Sequence, residues 1–171
     1  KKNWNVDIFT RLTRKRKNRI QKISRRVNVI YLKAGEQEYF SEEEIWNHFV
    51  EFFTNFLSYK QEHKINYDII HGHYWSGGWI AMHASAILDI PFIQTFHTLG
   101  MVRYNTLKKF RDLPSSKEQK VFDRRFNLEK QIVKRASTVI ASNPYEEDDL
   151  VNHYNTAHRK ISIITPGVDV K

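Results

Sequence analysis

Two histidines, two tyrosines and two tryptophans crowd into YDIIHGHYWSGGW, residues 67–79, most of them directly after its short apolar run. His71 and His73 lie two apart and so share one face of a strand. His97 and Thr98 follow a second apolar run, PFIQTF, in the same way. Imidazole, phenol and hydroxyl groups gathered at strand ends can hydrogen-bond a hydroxyl-rich ligand, exchange protons or hold a metal. Gly77 and Gly78 let the backbone come close, and they are expected to open a helix whose N-terminal N–H groups favour anionic or hydroxyl-rich ligands.

The elements that must position these groups alternate along the chain. Residues 4–10 and 27–33 read as short strands around a basic loop, and YDIIH, PFIQTF, STVIAS and ISIIT read as further strands. Residues 41–63 read as a helix, with Ser41 as N-cap and Glu44 completing a capping box. Its stripe of Ile45, Phe49, Phe52, Phe53, Phe56 and Leu57 has the spacing of a core face. Helices are also expected from Gly77 to Asp89, over 117–136, and over 144–154, the last with Asn143 as N-cap, Pro144 first and Glu146 closing a box. Short apolar strands alternating with helices imply a parallel sheet covered on both faces, with ligands beyond the carboxyl ends of its strands. The GxGxxG dinucleotide fingerprint is absent.

Composition narrows the classes. The chain has 171 residues, 40% of them hydrophobic and 13% aromatic, as in a folded domain with its own core. It has no cysteine, so disulfides and thiolate metal sites are excluded. No apolar run reaches the ~18 residues of a membrane span. The net charge of +9 resides in residues 11–26, RLTRKRKNRIQKISRR, which carry nine Lys or Arg and no acid. The other 19 basic residues balance the 19 acidic ones. This run reads as a solvated loop or as a contact for an anionic partner. No aromatic interleaves it, which weakens a single-strand stacking contact, and no nucleic-acid partner is expected.

Four stretches in register, YDIIHGHYWSGGWIA, IPFIQTFHTLG, ASTVIASNPYEEDDL and KISIITPGVD, resemble the N-terminal domain of retaining GT-B glycosyltransferases of family 4. The likeness spans nearly the whole chain and is nearest the sucrose-phosphate synthase and inositol-phosphate N-acetylglucosaminyltransferase branch. It implies a Rossmann-like α/β domain of three layers, one half of a GT-B fold, over residues 1–165. The first strand and its Gly-rich loop are expected to be missing, residues 166–171 to begin the interdomain linker, and the nucleotide-sugar domain to be absent. A fragment without that domain is expected to be inactive alone.

The resemblance also implies roles. His97 lies against the transferred sugar, and Tyr74, Thr98 and Arg125 contact the acceptor; Arg124 is the neighbour that could be confused with Arg125. His73 and Trp75 shape the turn. Glu42 stands where phosphate-acceptor members carry a lysine, which weighs against a phosphorylated acceptor. The expected partners are a nucleotide-sugar donor, as co-substrate rather than cofactor, and a hydroxyl acceptor. Retaining transfer of this kind needs no metal. The expected setting is the cytoplasm, with residues 11–26 able to dock on an anionic inner membrane face. Two alternatives stay open: a zinc hydrolase built on His71, His73 and His97, and a basic anion-binding domain acting through residues 11–26. His71 reads as a buried or half-buried strand residue and His83 as packing. His48, His63, His153 and His158 read as surface groups.

Overall fold

The computed structural model describes residues 4–110 and 115–167. The chain forms two compact units, Lys1–Asn66 and Tyr67–Lys171. The linker expected from residue 166 lies outside the described residues from 168 onward.

In the first unit, β1 (Val6–Arg11) pairs in parallel with β3 (Val27–Leu32), and β2 (Ile20–Ser24) pairs antiparallel with β3's other edge. Arg11 and Ile20–Ser24 of the basic run are thus strand rather than loop. Its alternation is hidden because the pairing shifts register between Lys22 and Ser24, a bulge that puts Ile20 and Ile23 out of period-2 phase. Ser41 and Glu44 do form the expected capping box: the Ser41 N–H donates to Glu44 at 2.9 Å and the Glu44 N–H to Ser41 at 3.3 Å. It closes a turn and a short 3-10 segment (Ile45–His48), and the α-helix proper, α1, runs Phe49–Glu62. Of the aromatic stripe only Phe49 and Phe56 are fully buried. Phe56 meets Phe9 edge to face, with ring centroids 4.9 Å apart.

The second unit runs β4 (Ile70–His73), α2 (Tyr74–Leu88), β5 (Phe92–Thr95), α3 (Gly100–Phe110), α4 (Ser116–Arg135), β6 (Thr138–Ala141), α5 (Pro144–Tyr154) and β7 (Ile161–Ile163). The sheet order is β4-β5-β6-β7, parallel throughout and flanked by helices, the α/β architecture expected. Helix α2 packs on β4, β5 and α4, and α5 packs on α4, β6 and β7. Trp75, Phe92, Phe96, Ile132, Val139 and Leu150 fill the core between them. Helix α3 has too weak an apolar period to announce itself.

Local signals hold with small shifts. Asn143 caps α5 by accepting from Glu146 N–H at 3.0 Å. Glu146 reaches one residue further back than expected, to Ser142 N–H at 2.8 Å. Lys160 Nζ donates to the carbonyls of Val133 at 2.9 Å and Lys134 at 3.0 Å, satisfying the end of α4. Among the described residues no helix is long and apolar enough to cross a membrane.

Candidate functional site at the ends of β4 and β5

Strand β4 passes into α2 without a loop. His73 is extended, and Tyr74, the first helical residue, has φ +62°, in the left-handed region that a bulky side chain adopts only under constraint. The helix therefore opens at Tyr74 and not at the glycines, which lie one turn inside it. Gly72 and Gly78 have a packing task instead. A Cβ on Gly72 would fall 2.4 Å from Gln94 Oε1, and one on Gly78 would fall 2.7 Å from that atom and 2.8 Å from Ile132.

The space these glycines leave admits the fully buried Gln94 side chain from β5. Its amide donates to the Tyr74 carbonyl at 3.0 Å and to the Thr95 carbonyl at 3.1 Å. Gln94 thereby fixes the strained start of α2. The end of β5 repeats the device, because His97 has φ +64°. Two non-glycine residues in the left-handed region thus stand at adjacent strand ends.

Arg125, from α4, ties both ends together. Its Nη1 donates to the Tyr74 hydroxyl at 3.0 Å and its Nη2 to the Thr98 carbonyl at 2.7 Å. Its Nε donates to Glu129 at 2.8 Å. Arg125 is only 3% exposed and Glu129 is fully buried, so the guanidinium is a brace behind Tyr74 and Thr98. Arg124, its neighbour, is exposed. Glu129 also accepts from Gly100 N–H at 3.0 Å and from the Tyr154 hydroxyl at 2.5 Å. Burial pushes its carboxyl above the ordinary range, against the pull of Arg125, the Tyr154 hydroxyl and the Gly100 N–H. Burial, then Glu129, raises the Tyr154 phenol well above its usual value and keeps it a donor.

The opposite face of β4 carries the imidazoles. His71 Nε2 is 2.9 Å from Thr95 Oγ1, and His73 Nδ1 is 2.9 Å from His97 Nε2. The His71 and His73 ring centroids are 4.0 Å apart. His71 is exposed by area rather than buried. Burial of its ring nitrogens, then His73 and His97, lower it to about 4. Burial, then His97, lowers His73 as well.

The zinc alternative asks these rings to converge on one point. Instead the His71 and His73 rings lie against each other at a tilt of 33°, while His73 and His97 spend their facing nitrogens on each other. Among the described residues no three of His, Cys, Asp or Glu are placed to hold a metal ion.

Tyr74, His97, Thr98 and Arg125 therefore come together, while Glu42 lies half-buried in a turn of the first unit. Gln94, Glu129 and Tyr154 were not singled out from sequence, because each acts through a partner at least 20 residues away. His83 is a packing residue, with its ring on Trp79 at 4.0 Å and Nδ1 2.8 Å from the Trp79 carbonyl oxygen. In the first unit, Leu12, Lys15, Arg16, Lys17, Arg19 and Gln37 line an open hollow of about 380 Å³.

The sequence profile of Glycosyltransferase Family 4 matches residues 1–171. The chain belongs to this family. It is 33% identical over 166 residues to a D-inositol 3-phosphate glycosyltransferase of Corynebacterium glutamicum, covering 97% of this chain and 38% of that protein. Sucrose-phosphate synthase from Thermosynechococcus elongatus superposes with a TM-score of 0.80 at 27% identity, over 97% of this chain and 39% of that one. Anabaena HepE, crystallised with UDP-glucose, shares the fold alone: TM-score 0.53, 16% identity, 82% of this chain and 31% of that one. The family 4 chain thus spans less than two-fifths of the length of these relatives.

Proposed function

We propose that this family 4 chain is the acceptor-side domain of a retaining glycosyltransferase, which moves a sugar from a nucleotide-sugar donor to a hydroxyl of a sugar, polyol or glycan. The observation that carries the reading is the pair of left-handed residues, Tyr74 and His97, at adjacent strand ends. Strain of about 1–3 kcal/mol per residue persists where the surroundings over-determine it, and such places cluster at ligand sites. His97 presents an exposed imidazole to the sugar on the reacting face. The Tyr74 hydroxyl and Thr98 meet the acceptor, and Arg125 holds both from behind.

Stabilising the leaving nucleoside diphosphate calls for positioned cationic or N–H donors, which this reading assigns to the rest of the protein. Two of the relatives' names carry a sugar or inositol phosphate, whereas Glu42 favours an uncharged acceptor, so paired phosphorylated and unphosphorylated acceptors separate the two. The test of the site is His97→Ala in the full-length protein. Turnover is expected to fall roughly 10²-fold or more, the scale of losing one preorganised donor. Near-normal turnover contradicts the assignment.

A second reading concerns the first unit. We infer that residues 11–26 dock the enzyme on the anionic cytoplasmic face of a membrane. Four of the six residues lining the hollow are cationic and none is acidic, and Ile20 and Ile23 stand 44% and 57% exposed on β2 beside them. Lys and Arg near such a surface contribute about 1 kcal/mol each, and a second, apolar contact makes the association durable. Equal partitioning onto neutral and anionic vesicles at low salt overturns this reading.

A further inference from the structure

We propose that His73 is a positioning residue that fixes the orientation and tautomer in which His97 meets the sugar, an inference that rests on the sugar-side role given to His97 above. His97 sits on the loop after β5, exposed and with a strained backbone, and packing alone leaves such a ring free to turn. What holds it is His73. The two ring planes are 17° apart, their centroids 5.1 Å apart, and their facing nitrogens 2.9 Å apart. Those values describe two rings edge to edge in nearly one plane, joined nitrogen to nitrogen, and not a face-to-face stack.

An N–H···N bond between neutral imidazoles requires one proton between them, so one nitrogen donates and the other accepts. Each ring is then confined to one tautomer, and the outer Nδ1 of His97 is given a single character, donor or acceptor. His73 is kept in place in turn. It is anchored in β4, where it pairs with Thr95, and its ring lies against His71, which engages Thr95 Oγ1. Burial lowers the proton affinity of both His71 and His73, which favours the neutral imidazole at these two positions. Trp75 in the same motif is a core residue, 1% exposed, whereas His73 is exposed and bonded to His97.

The experiment uses the full-length protein with its nucleotide-sugar donor, and compares His73→Phe, His73→Asn and His97→Ala. Asparagine can place a donor or acceptor where Nδ1 stood; phenylalanine cannot. His73→Phe is expected to lower kcat about 10- to 100-fold, the scale of losing a partner that orients a functional histidine, with the acceptor KM within a few-fold. His73→Asn is expected to recover most of kcat. A crippled His97→Ala beside a His73→Phe of unchanged kcat overturns the positioning role alone. A fully active His97→Ala overturns the proposed site instead. Histidine-selective 15N NMR of the unmodified protein supplies a readout independent of any variant's folding. Well-separated Nδ1 and Nε2 shifts for His97 are expected, and shifts averaged between the two tautomers overturn the proposal.

Discussion

The Arg125 guanidinium and the Glu129 carboxylate, one turn apart on α4, form a buried ion pair at 2.8 Å, with the side chains 3% and 0% exposed. Removing one member of such a pair leaves the other without compensation and costs about 3–5 kcal/mol. Arg125→Ala is therefore expected to lower the unfolding free energy by that amount in urea titration. The double replacement Arg125→Met with Glu129→Leu is expected to cost less than Arg125→Ala alone. A single variant within about 1 kcal/mol of the parent contradicts the brace.

The two neighbouring glycines of α2 are expected to respond in opposite directions. A methyl group on Gly78 meets Gln94 at 2.7 Å and Ile132 at 2.8 Å, whereas the nearest atom to one on Gly77 is 4.0 Å away. Gly78→Ala is expected to destabilise by about 1–3 kcal/mol through overpacking. Gly77→Ala is expected to stabilise by about 0.4–1 kcal/mol, by restricting the unfolded chain. Thermal melts of the two variants check both signs.

The histidine row makes stability depend on pH in a defined window. His71 is lowered from 6.5 to about 4, so between those values the unfolded chain binds more protons than the folded one. This contribution is present above pH 6.5 and is lost as the pH falls toward 4. Replacing His71 with Gln removes it. The parent's Tm is expected to drop further than that of His71→Gln between these pH values, and parallel curves contradict the account.

What the sequence reveals is what short-range physics controls. Asn143 and the Ser41–Glu44 pair could be read directly because a cap needs only residues three or four apart. The strands of the second unit could be read because a parallel sheet asks for short apolar runs. Strand β2 was hidden by its bulge, and α3 by its weak period. The left-handed backbones of Tyr74 and His97 leave no trace in residue type, since only Gly, Asn and Asp advertise that region. Their supports, Gln94 and Arg125, act across the fold. His97, Tyr74, Thr98 and Arg125 were reached through likeness to a family, and the structure adds the reason they stand together.

The most direct test of glycosyl transfer uses the full-length protein in EDTA with a panel of UDP-, GDP- and ADP-sugars, recording nucleoside diphosphate release and the anomeric configuration of the product by NMR. The account predicts release with one donor class and a product that keeps the donor's configuration. Release with inversion contradicts the retaining assignment. No release from any donor, with activity appearing only on added zinc, contradicts the transferase reading and favours hydrolysis at His71 and His73.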